Sequence, residues 1–414
     1  MNASEDASQT EVSSLIVSQE DSSPSASPSM LPTWVDRNLY NSIVVGAAFF
    51  MVFFSFNTVQ GFVTTLGKEI GFLSLMVLYL FFAATNLIAP KVIELIGLRF
   101  GMIVGSACYV VFIAANAYPA WYTLIPAAAV NGVGASILWS SQGTFLARSS
   151  EEKNLGLFSG IFFAIFMSNQ VAGNIVAGSL LLIDTPFLVI FLAFSVIAAI
   201  GCMIFGALYK PPSVKSEVGT EWTTSLYATI RHFKDPKMLL IIPLMMYSGQ
   251  SQEFFYGSLP PRVAEWRHAG IAFCMVALGV FDTISSVLFG KLSDKIGKLP
   301  VLCVLVLCAN VGVLSSLLAS PARPYLYFIS FSSLGIADGA VNTQLYALLG
   351  KHFVGLSSLE GAYALFRLVQ ALSTAAAYIY APYVPFWLLC GLLSCFSIIG
   401  VVCSSIVVLK WERE

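Results

Sequence analysis

Charge is scarce in this chain. Only 10% of its 414 residues are Asp, Glu, Lys or Arg, against 57% apolar residues. An ordinary soluble domain carries about a quarter of its residues as charges, so that class is excluded. The few charges also cancel: 21 basic against 22 acidic side chains leave a net charge of −1. No basic excess exists to attract nucleic acid or another polyanion. Histidine is rarer still. His232, His268 and His352 all fall at helix ends or in connections, so none stands beside a nucleophile in the apolar interior. No Walker loop, HExxH or Gly-x-Ser-x-Gly occurs, which removes the usual signatures of nucleotide, zinc and serine chemistry. The expectation is a chain that is not an enzyme and has no cofactor and no metal. Cysteine pairs of metal or redox spacing are missing too. The eight cysteines lie in or beside apolar runs without a CxxC, which marks them as small core residues.

What is abundant is long apolar sequence. Twelve runs reach membrane-spanning length: 41–63, 71–95, 99–117, 120–146, 156–182, 186–209, 238–260, 269–290, 299–319, 325–349, 359–381 and 386–409. A helix rises about 1.5 Å per residue, so each is long enough to cross a bilayer core. Most gaps are short, which makes neighbouring helices antiparallel. The expected organisation is a disordered tail over 1–37, six helices over 38–209, a linker with a short surface helix over 210–237, six helices over 238–409, and an end at 410–414. The tail is Ser-rich and holds Glu11, Leu15 and Ile16 in an acidic dileucine spacing. That spacing resembles an endosomal or vacuolar sorting signal; a chance match in a tail is the other reading. Endosomal, lysosomal, vacuolar and plasma membranes all stay open.

Charge orients the runs. With the N-terminus in the cytosol, sixteen basic residues fall on the cytosolic side and four (Lys68, Arg262, Arg267 and Arg323) on the other. Positive charge collects on the cytosolic side of membrane proteins, so both termini are placed there.

The chain also repeats itself at an offset of 200. Pro90-Lys91-Val92-Ile93-Glu94-Leu95-Ile96-Gly97 aligns with Gly290-Lys291-Leu292-Ser293-Asp294-Lys295-Ile296-Gly297, and Gln170 aligns with Gln370. The pattern implies two duplicated halves. The second turn, Gly290 to Lys298 with Asp294, Lys295 and Gly297, resembles the cytosolic signature of the major facilitator superfamily. The resemblance implies an all-α membrane fold with two pseudo-symmetric six-helix halves. Acids in these turns then face helix N-termini of the opposite half, Asp294 toward the fifth helix and Glu94 toward the eleventh. The alternative is ordinary solvated turns. The first copy is degenerate: Pro90 stands for Gly, Leu95 for the basic residue, and Arg99 falls one place late.

Four further stretches narrow the resemblance: Asn131–Thr144 with its Leu-Trp-Ser-Ser-Gln-Gly run, Asn154–Phe163, Gly335–Tyr346, and Glu360–Arg367. They are similar to the uncoordinated-93-like (Unc-93) family, which includes its MFSD-type relatives. Its members imply two kinds of role. One is secondary transport of a small solute or ion by alternating access. The other is a regulatory or trafficking partner of another membrane protein, such as a potassium channel or a receptor. The lipid bilayer is a partner in both.

A charge at mid-membrane costs about 2.5–3.5 kcal/mol on insertion scales, so each needs a reason. Glu253, Asp282, Asp338 and Arg367 lie well inside apolar runs, all in the second half. Helical spacing puts Gln250 with Glu253, and Asp338 with Asn342 and Tyr346, on single faces. The first half offers amides: Asn57, Gln60, Asn131 and Gln142. These eight residues, from Asn57 to Asn342, are the candidate cavity or ligand residues; structural bonding between helices is the competing reading. Arg367 and Asp338 are the expected buried charge pair, with Glu253 as the alternative acid.

Overall fold

The computed structural model describes residues 37–148, 155–209, 231–353 and 356–411. Among the described residues twelve long helices follow in order: α1 (Arg37–Leu66), α2 (Lys68–Asn86), α3 (Leu98–Ala115), α4 (Trp121–Arg148), α5 (Leu155–Leu182), α6 (Phe187–Ile204), α7 (Pro236–Ala264), α8 (His268–Ile296), α9 (Lys298–Leu318), α10 (Tyr325–His352), α11 (Leu356–Tyr380) and α12 (Phe386–Trp411). A short helix, Ala89–Ile96, extends α2 toward the turn at Gly97.

Ten of these helices are long and apolar enough to cross a membrane by length and composition. α7 and α10 are not among the ten. They carry the polar residues Gln250 and Glu253, and Asp338, Asn342 and Gln344. Their polarity is tolerable because neighbouring helices enclose them: Glu253 is 3% exposed and Gln344 is fully buried.

Packing repeats between the halves. In the first, α1 packs on α5 and α6, and α4 on α2 and α3, while α3 meets α6. In the second, α7 packs on α11 and α12, and α10 on α8 and α9, while α9 meets α12. Each of these five pairings recurs six helices later. The halves join mainly through α2 with α11 and α5 with α8, two contacts that exchange under the same relation. This is the two-half fold expected from the 200-residue offset.

The repeated turns are the clearest local trace of that symmetry. Gly97 and Gly297 have φ of +84° and +85°. Each ends one helix, donating its N–H to Ile93 O (2.8 Å) and Ser293 O (3.1 Å) respectively, and starts the next. An L-residue is strained in that backbone conformation, so glycine is needed at both corners. Arg99, displaced in the first turn, donates to the Gly206 carbonyl just after α6, where helix-end carbonyls attract a cation.

α7 is broken by its own sequence. Asp235 caps its start, accepting from Lys237 N at 2.8 Å, with Pro236 in the first turn. An α-helical stretch runs to Glu253, a π-helical turn covers Phe254–Ser258, and the helix resumes over Leu259–Ala264. Pro261 has no N–H for the Gly257 carbonyl four residues back. Thr64 Oγ1 of α1 donates to that carbonyl instead, at 2.9 Å across the halves.

Close helix crossings depend on glycine for a different reason. A Cβ at Gly132 of α4 would stand 2.7 Å from Phe81 Cβ and 2.9 Å from Phe82 N of α2. Backbone cannot yield as a flexible side chain does. Gly132→Val is expected to cost about 1–3 kcal/mol. Its measure is the monodisperse fraction on size exclusion, which should fall several-fold; an unchanged profile would mean that α2 and α4 are not so close.

Candidate functional site

The structure separates the candidate residues into three groups. The first group holds helices together. Asn57 Nδ2 of α1 donates to Asn169 Oδ1 of α5 at 2.9 Å. Gln60 Nε2 donates to Tyr79 Oη of α2 at 3.0 Å. Gln250 of α7 is saturated by α11: its Nε2 donates to Ser373 O (3.0 Å) and Oγ (2.9 Å), and Tyr380 donates to its Oε1. Glu253 Oε1 accepts from Ser258 Oγ at 2.7 Å, across the π-helical turn. Tyr378 of α11 closes over the same place, since a Cβ on Gly257 would meet both Glu253 Oε1 (2.6 Å) and the Tyr378 ring (2.8 Å).

The second group is buried in the first half. Gln142 is 6% exposed, and Asn131 is fully buried with neither amide atom hydrogen-bonded. Aromatic side chains fill this half: Trp139, Phe49, Phe53 and Phe166 meet edge to face at centroid distances of 5.2–5.9 Å.

The third group is a polar strip in the second half. Asn342 Nδ2 donates to Asp338 O (3.0 Å) and Oδ2 (3.1 Å). One turn on, Tyr346 Oη accepts from Arg367 of α11 at 2.5 Å. Arg367 also donates to Gln370 Oε1 (2.9 Å), and Gln370 donates to Ser248 Oγ of α7 (2.8 Å). The guanidinium lies over the Phe366 ring at 5.1 Å. Asp282 and Ser286 of α8 complete the strip, Ser286 donating to Asp282 at 3.4 Å. Asn342, Arg367, Asp282 and Ser286 are part-exposed and Tyr346 is 38% exposed, although buried residues flank them.

One expectation is corrected here. Arg367 forms no ion pair with Asp338 or Glu253; among the described residues the ion pair found is Lys91–Glu94, at 2.9 Å. Asp338 lies two turns from Tyr346, about 12 Å along α10. The guanidinium is held before that point, by neutral partners. No hydrogen bond joins Asp338 to Arg367 either.

Other sequence expectations fall elsewhere. The Glu94 side chain is 68% exposed and engages Lys91 within its own turn. The Asp294 side chain and the first side chains of α11 lie outside the described residues, as do the two helix-dipole contacts expected there. Glu11, Leu15 and Ile16 and most of the 210–237 linker are outside them too. Gly290, Lys295 and Lys298 sit at the α8–α9 corner with Gly297. Sequence spacing alone did not find Tyr380 or Ser373, the partners of Gln250, because each comes from another helix.

Several side-chain contacts cross between the halves. The hydrogen bonds Thr64–Gly257 and Tyr256–Gln170 (3.3 Å) join them, as do the ring contacts Tyr79–Tyr378, Phe72–Tyr378 and Phe187–His268. Thr64, Gly257, Tyr378, Phe187 and His268 lie near the helix ends away from Arg37 and Trp411, while Gln170 and Tyr79 lie in mid-helix.

This architecture defines a membrane protein of the major-facilitator type. A solved mutant form of the peptide transporter POT superposes with a TM-score of 0.70 at 12% identity, covering 90% of this chain and 94% of that one. The nucleoside transporter NupG gives 0.65 at 12% identity, covering 91% of this chain and all of that one. The chain belongs to the UNC-93 family: the family described as "Ion channel regulatory protein UNC-93" matches residues 63–324 and 314–405. Among its relatives, human "Protein unc-93 homolog A" is 31% identical over 428 residues, covering 87% of this chain and 92% of that protein. "UNC93-like protein 3" of Arabidopsis thaliana is 29% identical over 372 residues, covering 82% and 80%. "UNC93-like protein MFSD11" of Xenopus laevis is 26% identical, covering 84% and 91%.

Proposed function

We propose that this chain is a secondary transporter that passes a small polar solute or ion between its halves by alternating access, with both termini in the cytosol. The observation that carries the reading is the part-exposed strip Asp282, Asn342, Tyr346 and Arg367 within an apolar bundle. Placing such groups inside the membrane costs stability, and a polar ligand offsets that cost. The position of the cross-half contacts supports the same reading. Among the described residues, Thr64 with Gly257 and Phe187 with His268 join the halves near the helix ends away from the termini, an arrangement expected of one state in a two-state cycle. Nothing in this chemistry calls for a covalent step, so the protein is read as a carrier and not as an enzyme.

A second reading has its own support. The family is described by ion-channel regulation, and the first half fills its interior with aromatic side chains where a cavity would need polar ones. On this reading the chain is a subunit or trafficking partner of another membrane protein.

One experiment separates the two. The purified full chain is screened by thermal shift against small solutes and ions, and any hit is carried into uptake by proteoliposomes. Mild-detergent pull-downs run beside it. A solute that stabilises the protein and accumulates in vesicles supports transport. A stoichiometric membrane partner, with no stabilising solute and no uptake, would replace transport by the regulatory reading.

A further inference from the structure

Two acids come together where α8 crosses α10. At that level the backbones touch: a Cβ on Gly339 would stand 2.7 Å from Asp282 O and 2.8 Å from Ser286 N. Asp282 and Asp338 therefore flank one crossing. Their partners are few and neutral. Asp282 Oδ1 accepts from Ser286 at 3.4 Å, and Asp338 Oδ2 accepts from Asn342 at 3.1 Å.

Two buried oxygens at this place have no partner at all. Asp338 is 9% exposed, and its Oδ1 accepts no hydrogen bond. Tyr247 of α7, a helix that packs on α10, is fully buried and its Oη is unbonded. Buried oxygens of this kind are costly and rare. Among the described residues no Lys, Arg or His nitrogen comes within 4.0 Å of either carboxylate. Arg367 of α11 is held two turns further along α10 by Tyr346, with Gln370. The two acids therefore share the crossing with no cation bonded to either.

We propose that the α8–α10 crossing binds a single monovalent metal cation, with Asp282 and Asp338 as its charged ligands and Tyr247, Ser286 and Asn342 supplying neutral oxygens. The donors are all oxygen, which suits a hard alkali cation and not a soft transition metal. No group of three or more His, Cys, Asp or Glu gathers among the described residues to hold a more highly charged ion. A bound cation offsets the repulsion between two acids brought to one crossing. Asp282 is part-exposed, so the crossing is open on the Asp282 side. The site goes beyond transport, since a regulatory subunit can carry it equally well.

The test is binding by the purified full chain in nanodiscs, with no uptake measured. Its melting temperature is followed in sodium, potassium or lithium chloride, with choline chloride keeping ionic strength constant. The expected result is a saturable rise with at least one alkali ion, about 2–4 °C at ten times the dissociation constant, and no rise with choline. Asp282→Asn and Asp338→Asn each weaken the apparent affinity at least tenfold, while Glu265→Gln, an exposed acid outside the site, leaves it unchanged. Direct binding of radioactive sodium or rubidium to the unaltered protein covers the case in which Asp338→Asn does not fold. Equal curves in choline and alkali salts overturn the proposal. So does a melting temperature that responds to pH but to no alkali ion, which would assign the crossing to a shared proton. Retained affinity in Asp282→Asn overturns it as well.

Discussion

A cysteine placed at Tyr346 is expected to react with a membrane-impermeant maleimide only after the cell is opened, and one placed at Thr64 to react from neither side. Thr64 lies in the last turn of α1 and Tyr346 within two turns of the end of α10, so neither is far from water along its own helix. Tyr346 is 38% exposed, and on the proposed function its strip faces the space between the halves. Thr64 is 1% exposed, with its hydroxyl held by the Gly257 carbonyl of the other half. A thiol reacts as a solvated thiolate, so Thr64→Cys labels only when the cross-half contact opens. The expected rate ratio is on the order of a hundredfold. The comparison is made in a background where Cys303 and Cys395, both exposed on the helices, are replaced by Ala. Labelling of Tyr346→Cys in intact cells would reverse the proposed orientation. Fast labelling of Thr64→Cys from outside would mean that the cross-half closure lies at the other end.

How much of this was written in the sequence depends on how local the cause is. The duplicated turns were legible because a turn glycine is set by its own backbone: Gly97 and Gly297 share nearly the same φ, +84° and +85°. The helices were legible because hydrophobic length is a property of a run. The inventory of buried polar residues was legible for the same reason. Their roles were not. A lone Gln250 in an apolar run reads equally as a ligand group or as a helix tie, and only the arrival of Ser373 and Tyr380 from α11 decides. The break in α7 shows the intermediate case. Pro260 and Pro261 announce that carbonyls will lose donors. That Thr64, far earlier in the chain, supplies one of them follows from how the halves meet. Arg367 failed for a related reason. An acid on the next helix at the right face is a sound expectation for a buried arginine, but a tyrosine two turns closer takes the guanidinium first.

The same distinction predicts a reversed order of stability effects. Gln250→Leu is expected to damage the fold more than Arg367→Ala, although the arginine carries the charge. Gln250 makes three hydrogen bonds to α11, all to buried or part-buried groups. Leucine fills similar volume but leaves Tyr380 Oη and Ser373 Oγ without that partner. Interhelical hydrogen bonds in membranes average about 0.6 kcal/mol and reach about 1.7, so the loss should total about 2–3 kcal/mol. Arg367 is part-exposed, and its partners Tyr346 and Gln370 are neutral. Removing it strands no carboxylate, so the penalty of about 3–5 kcal/mol for a broken buried ion pair does not apply. Its loss should cost under about 1 kcal/mol. Unfolding of the purified variants in a denaturant titration measures the order. Asp338→Asn added to Arg367→Ala should be additive within about 0.5 kcal/mol, because the two side chains share no bond. If Arg367→Ala proves the more damaging and Asp338→Asn restores it, the two charges are paired in the protein, and the neutral clamp of Tyr346 and Gln370 is not what holds the arginine.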